Sequence, residues 1–231
     1  MPPDSSSKRV RVLYLQPAPL FGGAERQAAL AAALLPEFGV DVIPLVGPGR
    51  VIAEWLREAG VRDLHETQDF PGGWRKQRGV RRATLPYRYL ACGMRARAQI
   101  ERLVQSEQAD VILASLPFAW ITGSLVARRA RIPIVWRAGG TRLNVVQKTA
   151  LWSLTRVQRP DLLLCNAQAV KATFGPLVPA PALVIQNGVD DRVFFPGAGD
   201  PRKYRPAGAS AVIGCAMRLA DSKRPQDFVA L

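Results

Sequence analysis

Apolar residues fall in short continuous runs, separated by stretches in which they recur at helical spacing. Val10–Leu15 (VRVLYL) is the kind of run a strand shows when both its faces are covered. Glu25–Leu35 is a helix, alanine-rich enough to lie close on a sheet. Val40–Val46 (VDVIPLV) is a second strand, in which Pro44 favours an edge or a bulge. Val51–Ala59 is a helix stopped by Gly60, and VRDLHE is a weak third strand. A break follows over Phe70–Pro86, where glycines, prolines and basic residues cluster.

The alternation then resumes. A helix over Tyr87–Gln105 precedes the strand DVILAS, a helix over Ala119–Arg129 and the strand IPIVWRA. A helix over Leu143–Thr155 leads to the strand PDLLLCNA, a short helix over Val170–Phe174, and a strand and turn in ALVIQNGVD. Regular βα alternation predicts an α/β fold, a doubly wound parallel sheet of Rossmann-like type. Ligands of such sheets sit in the loops at the carboxyl ends of the strands. Residues 1–8 read as a disordered tail, 9–197 as the α/β body and 198–210 as a linker. AVIGCAMRL then starts another strand and RPQDFVAL a helix. One such unit cannot bury its own faces, so 211–231 is expected to be the truncated start of a second domain.

Charge sharpens the picture. The 231 residues carry a formal net charge of +14. Pro71–Pro160 holds 17 Lys/Arg against three acids, while the rest of the chain holds 15 of each sign. A field that local points to an anionic partner for one face. Three widely spaced cysteines point to a reducing compartment rather than a disulfide scaffold. The single histidine, His65, excludes a His-rich metal site and most His-based nucleophile relays, and reads as structural. The polar start MPPDSSSKR lacks the apolar core of a signal peptide, and no apolar run reaches membrane-spanning length. The expected location is cytoplasmic.

One stretch carries candidate chemistry of its own. APLFGGAERQ places Gly22 and Gly23 between the first strand and its helix. Backbone N–H groups can converge on an anion there, helped by the helix N-terminus, and glycine lets a ligand approach the backbone closely. A tight turn without a ligand is the plain alternative. The G-x-G-x-x-G fingerprint of dinucleotide sites is missing.

Several segments together resemble the retaining glycosyltransferases of the GT-B fold, glycosyltransferase family 4. They are FGGAERQ, LLLCNAQAV (Leu162–Val170), VIQNGVDDRVFFP (Val184–Pro196) and AMRLADSKRPQDF (Ala216–Phe228). The order and spacing match over nearly the whole chain. The most specific part is Asn187, Gly188, Val189, Asp190, Phe194 and Pro196. The resemblance implies that the body is the N-terminal, acceptor-binding domain and that 211–231 opens the nucleotide-sugar-binding domain. It implies that Gly22 and Gly23 face the interdomain cleft, and that Arg218 and Lys223 grip the donor diphosphate. Such a transfer would proceed with retention and without a metal or other cofactor, a donor phosphate oxygen taking the acceptor's proton. Catalytic side chains are not identified.

Histidines that many relatives carry have no counterpart here. Leu113, Ser115 and Gly139 stand in those places, so Ser115, Arg137, Gly139 and Arg142 become the candidates for acceptor or sugar binding. A solvated rim charge is the alternative for both arginines. The segment Trp74–Leu103 mixes Trp74, Arg75, Lys76, Arg78, Arg81 and Arg82 with Tyr87, Tyr89 and Leu90. An interfacial surface on anionic lipid needs that mixture, and membrane-associated relatives use this domain so. Nucleic acid is the rival anion, without a recognition motif to support it. The expected whole is a glycosyltransferase that moves a sugar from a nucleotide sugar to a hydroxyl of a lipid-linked or cell-envelope glycan. It would be peripheral at the inner face of the cell membrane, and inactive as 231 residues alone. The alternative is a non-catalytic module that binds a glycolipid or an anionic polymer through its basic face.

Overall fold

The computed structural model describes residues 8–17, 22–47, 50–70, 85–140, 143, 145–197, 199, 205, 207–215 and 224–230. They form two units, one through Gly188 and one from Val189 onward. The first unit is a seven-stranded, fully parallel sheet. Its elements run β1 (Val10–Gln16), α1 (Gly23–Leu34), β2 (Val40–Val46), α2 (Arg50–Glu58) and β3 (His65–Glu66). Then come α3 (Leu85–Ser106), β4 (Val111–Ser115), α4 (Leu116–Ala130), β5 (Ile134–Ala138) and α5 (Val145–Val157). β6 (Leu162–Cys165), α6 (Gln168–Phe174) and β7 (Ala182–Val184) complete it. A 3₁₀ turn over Leu35–Phe38 follows α1, and α7 (Pro225–Val229) lies in the second unit.

The strand order is β3-β2-β1-β4-β5-β6-β7. The chain builds outward from β1 to one edge, then returns to β4 and builds to the other. The reversal between β1 and β4 is the topological switch point, where such sheets open a crevice at their carboxyl ends.

Side-chain alternation distributes the strands between two cores. Leu13 and Leu15 of β1, Ile43 and Leu45 of β2, and Ile112 and Ala114 of β4 face a core shared with α3, α4 and α6. Tyr14, Val42 and Val46 face the other way, against Ala28, Ala29 and Ala32 of α1 and Ile52, Ala53 and Leu56 of α2. The three alanines let α1 lie close, as its composition predicts. Gly123 does the same for α4, since a Cβ there would stand 3.0 Å from Leu15 Cδ1 and 3.1 Å from Ile134 Cδ1. Trp120 and Trp136 stack in the larger core with centroids 5.1 Å apart. Their indole N–H groups donate to Ala114 O and Ser124 Oγ, both at 3.0 Å, so neither buried ring leaves a polar atom unpaired.

Pro44 sits inside β2 because of which way it points. Gly47 N donates to Gln16 O, and Val46 O accepts from Thr67 N. Even-numbered positions of β2 therefore face β3, and the β3 ladder begins only at Leu45 and His65. The missing N–H of Pro44 falls where no partner stands.

The third strand shrinks to two residues, His65 and Glu66, which pair with Leu45 and Val46 alone. Helix α4 starts three residues earlier than its periodicity predicts, directly from Ser115, with Pro117 in its first turn where a missing N–H costs nothing. Ala211–Cys215 carries no strand, in contrast to the sequence reading. An apolar run becomes a strand only where a neighbour supplies its ladder.

Candidate functional site

The carboxyl edge at the switch point gathers four polar side chains from sequence-distant elements. Tyr14 on β1 is 1% exposed and Ser115, the last residue of β4, is 4% exposed. Their hydroxyls lie 2.9 Å apart, so the bond spans the switch point itself. Arg137 of β5 is the register neighbour of Ser115, and its Nη1 donates to Tyr14 Oη at 3.3 Å. Its Nη2 reaches Asn187 Oδ1 at 3.5 Å. From the other side, Gln27 Nε2 of α1 donates to Gly188 O at 2.8 Å. The segments FGGAERQ and QNGVD, some 160 positions apart, thus meet over one strand end.

The junction from β4 to α4 is tight. Leu116 has φ 71°, in the left-handed region that a leucine enters only at a cost. The strain lets α4 begin without a loop and holds Ser115 at the turn.

Gly22 and Gly23 differ in what requires them. Gly22 is extended, and a Cβ there would meet Glu25 Oε2 at 3.0 Å. The Glu25 carboxylate is buried in the first turn of α1, with Gln16 Nε2 donating to its Oε1 at 3.1 Å. Gly22 is small because this carboxylate lies against it. Around Gly23 nothing among the described residues stands within 4 Å of an added Cβ, so no described contact accounts for its lack of a side chain. Glu25 also meets part of the positive end of the helix dipole, which sequence reasoning did not foresee.

Gly139 and Gly140 follow β5 and are exposed. Leu113 packs among the partly buried residues under α1 and α2. Arg142, Arg218 and Lys223 lie outside the described residues, as do Trp74, Arg75, Lys76, Arg78, Arg81 and Arg82. The structure therefore brings together Gly22, Gly23, Ser115, Arg137 and Gly139 on one edge. It adds Tyr14, Glu25, Gln27 and Asn187, of which Asn187 was legible as a motif residue. Among the described residues no cluster of three His, Cys, Asp or Glu could hold a metal ion, and no helix is long and apolar enough to cross a membrane.

The opposite edge is different in charge. At the amino ends of the strands Lys8 bridges Asp110 at 3.0 Å, Arg9 bridges Asp41 at 2.5 Å and Arg11 bridges Glu107 at 3.0 Å. The Arg11 N–H and the Lys8 ammonium hold the Asp110 carboxyl below its ordinary value, and the Arg9 guanidinium does the same for Asp41. Burial pushes the Cys165 thiol up, as befits an inert core cysteine.

The model of Glycosyltransferase Family 4 matches residues 21–193. This chain belongs to glycosyltransferase family 4. The matched span starts just before the glycine loop and ends after the Asn187–Gly188 turn, so the family match and the polar edge cover the same elements. Among solved structures, the Anabaena protein HepE, crystallised with UDP-glucose, is 18% identical with a TM-score of 0.57, over 80% of this chain and 46% of its own. A glycosyltransferase from Rickettsia africae is 16% identical with a TM-score of 0.57, over 85% of this chain and 48% of its own. The family 4 chain thus spans just under half the length of these proteins, and the likeness shows a shared fold. No curated protein matches it.

Proposed function

We propose that this family 4 chain forms the acceptor-binding part of an enzyme that transfers a sugar from a nucleotide-sugar donor to a hydroxyl of a lipid-linked or cell-envelope glycan. The reaction class is transfer with retention, with the nucleotide sugar as substrate and no metal in the chemistry. The observation that carries the reading is Gly23. It opens the first turn of α1, beside the switch point, and among the described residues nothing stands within 4 Å of where its side chain would begin. As the bond to the sugar breaks, the leaving diphosphate gains negative charge. Fixed N–H donors at a helix start, with cations such as Arg218 and Lys223, would stabilise that charge more in the transition state than in the ground state. HepE, which shares the fold, was captured with UDP-glucose, and this supports a nucleotide sugar as the partner.

The basic segment around Trp74–Arg82 is proposed to rest on an anionic membrane at its cytoplasmic face. Trp152 of α5, exposed, with the Arg156 guanidinium 3.1 Å from its ring centroid, adds an aromatic–basic pair within the same basic third. Co-sedimentation with anionic vesicles should fall steeply with salt and with Arg78, Arg81 and Arg82 changed to Glu.

The donor reading is tested by amide NMR of the chain titrated with millimolar UDP-glucose. The amides of Gly22–Arg26 should shift, and Gly23→Val should abolish the response. Shifts elsewhere with none in this loop would refute the assignment. Retention is read from the anomeric coupling of the sugar in the product.

A further inference from the structure

Arg137 differs from the arginines of the first unit that pair with a carboxylate, because its two hydrogen-bond partners are neutral side-chain oxygens at the carboxyl edge of the sheet. Arg9 pairs with Asp41, Arg11 with Glu107, Arg57 with Glu66, Arg95 with Asp69 and Arg97 with Glu101. Among the described residues no carboxylate comes within 4.0 Å of the Arg137 guanidinium. Its neighbours are two neutral oxygens, Tyr14 Oη at 3.3 Å and Asn187 Oδ1 at 3.5 Å. Both contacts are long, so they orient the guanidinium without neutralising it. The side chain is half-buried. A half-buried guanidinium that no carboxylate neutralises keeps its full charge for an arriving anion.

The surroundings hold this charge in place. Ser115 fixes the Tyr14 hydroxyl from below, through a buried bond of 2.9 Å. Asn187 belongs to the turn that Gln27 ties to α1. Gly139 and Gly140, exposed, add no side chain above the end of β5. Arg137 itself lies one residue before the end of β5, at the carboxyl edge of the sheet, where ligands of this fold class sit. A planar fork of donors matches an oxyanion in two parallel bonds, a geometry that an ammonium cannot reproduce.

We propose that Arg137 is a specificity determinant that binds a phosphoryl group carried by the acceptor. Tyr14 and Asn187 act as positioning residues for it. The assignment to the acceptor rests on the function proposed above. The phosphoryl chemistry rests on Arg137 alone. A neutral sugar would leave the guanidinium without a counter-charge, and an acceptor phosphate supplies one.

The test is amide NMR of the 231-residue chain at fixed ionic strength. Glucose 1-phosphate, glucose, sulfate and UDP are titrated in parallel. Glucose 1-phosphate should shift the Ala138–Gly140 amides saturably, and neither glucose nor sulfate should match it at the same concentration. Arg137→Gln should weaken that binding at least tenfold. Arg137→Lys, which keeps the charge and loses the fork, should fall between the two. The shifts of Gly22–Arg26 with UDP-glucose should survive Arg137→Gln, which separates this site from the donor reading. Binding of glucose 1-phosphate within twofold of the wild type in Arg137→Gln overturns the proposal. So does a response at Ala138–Gly140 to UDP with none to glucose 1-phosphate, because the oxyanion then belongs to the donor. Loss of the Gly22–Arg26 response to UDP-glucose in the unaltered chain, with glucose 1-phosphate still bound at Arg137, would refute the donor reading and leave this site standing.

Discussion

The bond between Tyr14 and Ser115 can be weighed by a double-mutant cycle. Both groups are inside the protein, at 1% and 4% exposure, and their oxygens lie 2.9 Å apart. Tyr14→Phe removes one hydroxyl and leaves Ser115 Oγ buried with no described partner. An orphaned buried hydroxyl costs about 1–3 kcal/mol. The Arg137 guanidinium also loses a neighbour, but it is only half-buried and water replaces the contact cheaply. Ser115→Ala acts more mildly, since Tyr14 Oη still accepts from Arg137 Nη1. About 1 kcal/mol is the expected loss there. In the double variant no orphan remains, so its cost should fall below that of Tyr14→Phe alone. The coupling should thus be at least about 1 kcal/mol, well above the ~0.3–0.5 kcal/mol within which independent sites add. Urea unfolding of the four proteins, read by circular dichroism, measures it. Strict additivity would mean that the two hydroxyls do not hold each other across β1 and β4, and the support argued for Arg137 would fail with it.

Other outcomes are as specific. Leu116→Gly should raise stability by about 1 kcal/mol, because a left-handed residue gives up its strain, and thermal unfolding reads the sign; a loss of more than ~1 kcal/mol would show that the leucine side chain matters more than its backbone. Gly22→Ala should cost about 1 kcal/mol by displacing the Glu25 carboxylate, whereas Gly23→Val should leave stability nearly unchanged. Gly23→Val should nevertheless cut sugar transfer by roughly 10²–10³, the usual loss when one donor to a developing charge is removed; normal turnover would reduce the loop to a turn. The Asp110 carboxyl lies below its ordinary 3.8 when folded, so it stabilises the fold above that value. That contribution should vanish as pH falls through the folded value, and Asp110→Asn should flatten the acid limb of a stability–pH curve; an unchanged limb would place the acid sensitivity elsewhere, Asp41 being next.

The parallel body was legible because its central strands are continuous apolar runs, and such runs are found where both faces of a strand are covered. β3 was legible only as a weak strand over VRDLHE, and it is confined to His65–Glu66, since two residues carry little periodicity. Two features escaped for separate physical reasons. The Tyr14–Ser115 pair joins positions 101 apart and exists only once β1 and β4 are neighbours, which the order of the chain does not reveal. Ala211–Cys215 has the composition of a strand, but among the described residues no ladder forms on it. At the site, the glycine loop and Asn187 were visible as motifs. Arg137 was visible only as a replacement for an expected histidine. That its guanidinium is held by Tyr14 and Asn187, two neutral oxygens, depends on side-chain geometry. Glu25, read as part of a motif, turns out to be the reason for Gly22.

The sheet tapers from seven residues in β1 and β2 to two in β3 at one edge and three in β7 at the other. A long bare edge is a template on which a second chain can add a strand, and repeated addition grows a fibre. Here each outer strand itself offers only a bond or two to an intruder. Among the described residues β3 covers only Leu45 and Val46 of β2, and in the uncovered stretch Pro44 lacks the N–H that an added strand would need on that flank. Lengthening β3 or β7 by a few β-branched residues would remove that protection, and concentrated samples of such a variant would be the ones to gel.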